Sequence, residues 1–214
     1  MKLVLATRNL GKVNELTAML SNEQKHKDLQ LLSLQDFPDA PEVVEDGETY
    51  QENAIKKATI IADYTGFRTL ADDAGLEIDA LDGAPGVHSK RWAGEDATDA
   101  IRIEKLLAAL EDETNRNARF VAAIAIAEAT VSISNNVVDD TTIHKEVSVT
   151  KNVQVVVGIC DGYITNTPVG DSGFGYDPIF VPDGYDKTFA ELGDVIKNQI
   201  SHRSHALRSA LKLL

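Results

Sequence analysis

The stretch at 120–127, FVAAIAIA, is the longest run of the chain without a polar side chain. It is far short of the roughly 18 or more apolar residues that a membrane span needs, so it reads as a buried strand. Further strands are expected at 2–6 and 29–34, at 68–71 with a second segment at 76–81, and at 153–164. Helices are expected between them. Val13, Leu16 and Leu20 share one face after the polar turn at 7–11, and Tyr50, Ala54, Ala58, Ile61 and Ala62 share another, setting Glu52 and Lys57 nearer the flank. A third helix spans 97–111, and Ser201 can cap a last one using Ala206, Leu207, Ala210, Leu211 and Leu214. Residues 130–152 alternate weakly and read as a hairpin or an elaborated loop, while 170–178 reads as a loop. Strands and helices mixed in this order give an α/β or α+β fold around a long sheet. No repeat or low-complexity linker divides it, so residues 1–214 are taken as one domain.

Charge and cysteine content narrow the class. A chain of 214 residues can bury about 70% of its surface on folding, enough for a core without staples. The net charge of −13 is opposite to the basic field of a sequence-independent nucleic-acid binder. Cys160 is the single cysteine, which excludes an intramolecular disulfide and favours a reducing, cytoplasmic setting; its surroundings VVVGIC read as a buried strand with an inert thiol. The opening MKLVLATRN turns polar too soon for a signal peptide, so neither export nor membrane attachment is expected.

Three stretches can carry chemistry. Thr7-Arg8-Asn9-Leu10-Gly11-Lys12 joins a strand to a helix, where free N–H groups and the positive helix end suit an anion and Lys12 adds a point charge. The same residues also suit an ordinary Asn-capped helix start, and the Walker spacing is absent. Glu45, Asp46, Asp72 and Asp73 offer hard oxygens of the kind Mg²⁺ uses with phosphates, the last two placed at the end of the strand at 68–71. An acidic loop and an Asp turn are the plainer reading. Phe174 and Tyr176 flank a glycine in GFGYDP, and Lys197, His202 and Arg203 follow in KNQISHR. A loop aromatic can stack on a base and such cations can donate to a base carbonyl or a phosphate, although taken singly Phe174 better fits a core position and His202 the first turn of a helix. Neither zinc-ligand spacing nor a nucleophile elbow is present.

Taken together, LATRNLGKVNEL at 5–16, ENAIKKA at 52–58, LADDAGLEIDAL at 70–81, GAPGVHSKRWAGEDAT at 83–98, GFGYDPIF at 173–180 and ISHRSHAL at 200–207 resemble the inosine triphosphate pyrophosphatase family, in family order over nearly the whole chain. The resemblance implies an elongated, two-lobed α/β fold related to the Maf proteins, with a long mixed sheet flanked by helices and a cleft between the lobes. It also implies a homodimer and Mg²⁺-dependent hydrolysis of ITP, dITP and XTP to the monophosphate and pyrophosphate. Carried over by position, Thr7, Arg8, Asn9, Leu10, Gly11 and Lys12 would hold the phosphates with Lys57. Glu45 and Asp73 would hold Mg²⁺, and Asp73 would be, or orient, the general base, with Asp72 in support. Phe174 would stack on the purine, Gly175, Tyr176 and Asp177 would shape its pocket, and Lys197, His202 and Arg203 would face the base edge.

Ala74 stands where many relatives have serine, so only a backbone contact is expected there; Tyr176 replaces a tryptophan found in some. Residues 130–152 are longer than in compact relatives and receive no role from the resemblance. Two other readings are a Maf-like pyrophosphatase of other nucleotides and a nucleotide-binding regulator without turnover.

Overall fold

The first strand, β1 (Lys2–Leu5), buries Leu3, Val4 and Leu5 to 1% exposure or less at the centre of the molecule. After it come α1 (Leu10–Ser21), β2 (Gln30–Ser33), α2 (Tyr50–Thr65), β3 (Thr69–Ile78), α3 (Asp99–Ala109), β4 (Asn117–Ala127), β5 (Val153–Ile164), β6 (Phe180–Pro182), α4 (Phe189–Ile200) and α5 (His202–Ala210), with 3-10 turns at Asp79–Leu81, Gly86–Arg91 and Asp177–Ile179. This computed structural model describes residues 1–21, 29–129 and 152–214; the hairpin or loop expected at 130–152 lies, apart from Asn152, outside the described residues. The strands form one sheet in the order β2-β1-β3-β4-β5-β6. Pairing is parallel between β1 and each of β2 and β3, and antiparallel from β3 to β6. The expected mixed sheet flanked by helices is therefore what forms.

Local sequence fixes the helix ends. Thr49 caps α2 by accepting from the Glu52 N–H, and Gly66 closes it in the left-handed region at φ +74°. Thr188 and Glu191 form a reciprocal capping box at the start of α4, and Ser201 caps α5.

Strand β3 departs from the expectation. The aspartates do not end a strand: β3 runs unbroken through Asp72-Asp73-Ala74-Gly75, paired with β4 from Thr69↔Ala127 to Ile78↔Ala118. What ends there is β1, which pairs with β3 only at Val4↔Thr69 and Leu5↔Leu70. Beyond Leu70 no strand pairs with that edge of β3; a single bridge joins Glu77 to Pro85, and the turn at Gly86–Arg91 partly fills the gap, with the Leu76 N–H donating to Ser89 Oγ at 2.8 Å. The close approach needs Gly75, because a Cβ there would sit 2.2 Å from the Gly86 carbonyl oxygen.

The Asp72-Asp73 pair also separates the cores. Leu70 and Ala71 belong to two clusters on opposite faces, one against α1 and α5 and the other against α2. Leu76 and Ile78 belong to a third cluster, with Ile103 and Leu106 of α3 and with Phe120, Phe180 and Phe189. Phe120 and Phe180 meet edge to face at 4.7 Å between centroids. Residues 72–75 thus lie between the two ends of the sheet, where its edge is unpaired.

Candidate active site

The turn from β1 to α1 is an Asn-capped helix start: Asn9 Oδ1 accepts from the Lys12 N–H at 3.3 Å, and Thr7 Oγ1 accepts from the Asn9 N–H at 3.2 Å. The same turn forms part of a cavity wall through Asn9 and Lys12. Arg8 is steered to the side by donating to the Ala40 carbonyl at 2.8 Å. Leu10 is 57% exposed and lines neither cavity described below.

Strand periodicity sends Asp72 and Asp73 to opposite faces. Asp72, 2% exposed, accepts from Lys12 Nζ at 2.7 Å and from Arg203 at 3.3 Å. Burial opposes its charge, but Arg203 and Lys12 outweigh that and hold the carboxyl well below the ordinary range. Asp73 accepts from Asn53 Nδ2 at 3.1 Å and lies 3.4 Å from Lys57 Nζ. Its pKa is raised, chiefly by burial, with Lys57 and Lys12 pulling the other way.

Lys57 corrects a second expectation. It lies on the buried face of α2, one turn from Asn53, rather than on the flank. Its ammonium reaches Glu45 Oε1 at 2.6 Å, the Asp72 carbonyl at 2.8 Å and Asp73, so Glu45 and Asp73 stand one ammonium apart. Burial lowers the Lys57 pKa, but Asp73 and Glu45 reverse that and keep it charged. Burial likewise disfavours the Glu45 carboxylate, and Lys57 more than offsets it. Asp46 takes no part: it pairs with Lys56 at 2.5 Å near the surface.

On the other face, Phe174 lies with Lys197 Nζ 4.4 Å from its ring centroid and Arg203 Cζ 5.8 Å away. Asp177 holds the loop by accepting from the Phe174 N–H at 2.9 Å and from Lys197 at 2.5 Å. Buried Tyr176 donates to the Ser89 carbonyl at 2.9 Å. His202 stacks on Phe120 at 4.7 Å, and its Nδ1 has no partner among the described residues. Burial first and then Arg203 push its pKa well down, so the imidazole is neutral. Lys197 and Arg203 face this cavity, but both are also tied to Glu15 of α1, Lys197 at 2.6 Å.

Two cavities follow from this layout. One, of about 300 Å³, takes in Asp73, Ala74, the aromatic loop, Lys197, His202 and Arg203; Ala74 itself is part-buried against the α1 and α5 cluster. The other, of about 370 Å³, takes in Thr7, Arg8, Glu45 and Lys57. They share Asn9, Lys12 and Lys90. A larger cavity of about 760 Å³ between α1, α4 and α5 contains none of these groups and offers no comparable chemistry.

Glu15, Asn53, Lys90, Asp99 and Arg102 were not legible as site residues. Glu15 and Asn53 sit on amphipathic helices where polar residues are ordinary, yet the structure buries both to 7% or less. For Lys90 the available signal was its place within the 83–98 stretch that carries the resemblance.

A model of the Ham1 family matches residues 3–213. A dITP/XTP pyrophosphatase of Desulforamulus reducens is 45% identical, covering 100% of this chain and 96% of its own. One from an Exiguobacterium species is 44% identical over 97% and 94% of the two chains. Among solved structures, a HAM1 protein from Coxiella burnetii superposes with a TM-score of 0.80 at 38% identity, covering 100% of this chain and 98% of that one. The Ham1 protein of Staphylococcus aureus gives 0.78 at 34% identity, with 100% and 97% coverage. With fold and sequence agreeing along its whole length, the chain belongs to the Ham1 family.

Proposed function

We propose that this chain hydrolyses the non-standard purine nucleotides ITP, dITP and XTP to the nucleoside monophosphate and pyrophosphate, clearing them from the cytoplasmic pool. The observation that carries this reading is the junction of the two cavities at Asn9, Lys12 and Lys90, with an aromatic, donor-lined space on one side and a cation-and-carboxylate space on the other. A purine fits the first and a triphosphate the second.

Glu45 and Asp73 suit Mg²⁺: they are two facing carboxylates with an ammonium between them, the number Mg²⁺ takes when phosphates and waters complete its shell. When bound there, Mg²⁺ would neutralise phosphate charge and acidify water. Asp73, its basicity raised by burial, accepts or directs the proton of the water that attacks the α-phosphorus. The bond from that phosphorus to the bridging oxygen breaks, and the electron pair leaves with pyrophosphate, stabilised by Lys12, Lys57 and Lys90.

At the base end, donors from Lys197, Arg203 and neutral His202 suit a 6-oxo purine. Adenine would set its own donor against them and leave them unpaired, which is the costly form of mismatch. The partner is a free nucleotide rather than a nucleic acid. No helix among the described residues is long and apolar enough to cross a membrane. A homodimer is part of the proposal; Val155, Val157, Ile159 and Tyr163, each about two-fifths exposed along β5, offer it an apolar row, and sedimentation velocity tests it.

The deciding experiment incubates the purified chain with Mg²⁺ and ITP, XTP, GTP, ATP or dTTP and measures monophosphate and pyrophosphate separately. Pyrophosphate from ITP and XTP with ATP spared supports the reading. Turnover of dTTP instead assigns a Maf-like enzyme, orthophosphate with a diphosphate product refutes the cleavage position, and binding without turnover assigns a regulator.

A further inference from the structure

We propose that Asp99, braced by Arg102, is a positioning residue for base recognition, fixing the Gly175 amide and through it the Phe174 ring at the purine end of the cavity. The inference rests on the nucleotide reading above and names a group for which neither motif nor resemblance assigned a role.

Asp99 opens α3, directly after the capping residue Thr98. An acid in a first helical turn needs no partner beyond water and the helix dipole. Asp99 has two, from different parts of the chain. Its Oδ2 accepts from the Gly175 N–H at 2.7 Å, across 76 residues of sequence, and its Oδ1 accepts from Arg102. Arg102 in turn donates to the Lys90 carbonyl at 3.0 Å and to the Ala97 carbonyl. Gly175 sits in the left-handed region at φ +64°, so the direction of its N–H is set by a specific backbone conformation. The carboxylate thus ties the aromatic loop to the rim that carries Lys90. Tyr176, donating to the Ser89 carbonyl, makes a second tie between the same two segments. Both Asp99 and Arg102 line the cavity with Phe174 and Gly175. A carboxylate holding a backbone N–H is a charge-assisted bond, which makes Asp99 the stronger of the two ties.

The test compares ITP with inorganic tripolyphosphate, which has the phosphates and no base, by calorimetry without divalent metal so that nothing turns over. Asp99→Ala is expected to weaken ITP about tenfold and to leave tripolyphosphate within about twofold. Asp99→Asn, whose amide oxygen still accepts from Gly175, should recover most of the loss. With Mg²⁺ restored, KM for ITP should rise with little change in kcat. Unchanged ITP affinity in Asp99→Ala overturns the proposal, as does equal weakening of both ligands together with a lower melting midpoint, which marks a purely structural role. A wild type that binds ITP but releases no pyrophosphate once Mg²⁺ is restored refutes the enzymatic reading, while the ratio of the two affinities still decides the role of Asp99. A wild type that binds neither ligand overturns both.

Discussion

Asp72 and Asp73 are adjacent in β3, yet they belong to separate ion-pair networks on opposite faces of the sheet: Asp72 joins Lys12 to Arg203, and Asp73 meets Lys57 and Asn53. Their substitution to asparagine should therefore fail in different ways. Asp73→Asn removes a carboxylate that burial already makes costly and keeps an oxygen for Asn53. Pyrophosphate release should fall by about 10²-fold or more while the melting midpoint holds or rises. Asp72→Asn leaves the buried Arg203 and the half-buried Lys12 short of a partner and should cost about 3–5 kcal/mol of stability. Equal loss of stability in both variants would contradict the assignment.

The acid side of the stability curve follows from the same network. Asp72 and Glu15 are buried, which disfavours their charge, but Arg203, with Lys12 for Asp72 and Lys197 for Glu15, outweighs burial and depresses both. A depressed carboxyl contributes stability that is present above its unfolded value, about 3.9 for Asp and 4.3 for Glu, and is lost as pH falls through the folded value. Asp73 and Asp177 are raised chiefly by burial and act in the opposite sense, contributing stability below their unfolded values that is lost as pH rises through the folded ones. The contribution of Asp72 to stability should therefore fall away below about pH 4, so the acid slope in urea denaturation should be shallower in Asp72→Asn. An identical acid slope in that variant would mean Asp72 carries no linkage.

These networks explain what the sequence could and could not reveal. Helix α2 was legible because Ala54, Ala58, Ile61 and Ala62 repeat at helical spacing, and α5 because Ser201 caps it. Helix α4 was not, since its buried positions include Lys197, and Gly193 at φ +72° breaks the helix midway. Burial of Lys57 and Glu15 was hidden for the same reason: hydropathy places an ion outside, and only a partner from a distant segment reverses that. The continuity of β3 was hidden because DDAG looks like a turn until β4 is there to pair with it. The stretches that carry the resemblance named residues that the structure brings together and that periodicity did not single out, but they gave no hint that Lys197 and Arg203 share Glu15.

Gly11 links the turn between β1 and α1 to the aromatic loop. A Cβ at this position would lie 2.8 Å from Phe174 Cδ1, so the ring rests against the backbone of α1. Gly11→Ala should gain slightly in helix propensity and push the ring aside. Raised KM for ITP with an unchanged affinity for tripolyphosphate is the expected pattern. If KM does not move, the ring yields without consequence.

Cys160 is 7% exposed in the cluster beneath α3, and burial first, with Asp161 next, pushes its thiol up to about 12. The thiolate is the reactive form, so at pH 8 the folded protein should resist maleimide and label fully only in denaturant. Rapid native labelling would show that β5 opens locally.

Lys57 gives a prediction about metal that does not depend on turnover. Its ammonium stands between Glu45 and Asp73 and also donates to the Asp72 carbonyl at 2.8 Å. Lys57→Met keeps an unbranched side chain one atom shorter and removes the charge, leaving two carboxylates facing each other without a cation. Without divalent metal the variant should be destabilised by about 3–5 kcal/mol, the range for breaking a buried ion pair. A cation bound only by the folded state raises stability by mass action. If Glu45 and Asp73 hold Mg²⁺, the ion should therefore raise the melting midpoint of Lys57→Met more than that of the wild type, because it now meets an uncompensated pair. Turnover should stay low even with saturating Mg²⁺, since the substrate phosphates have lost a cation that a metal on the carboxylates does not replace. Equal midpoint shifts in the two proteins would place the metal elsewhere.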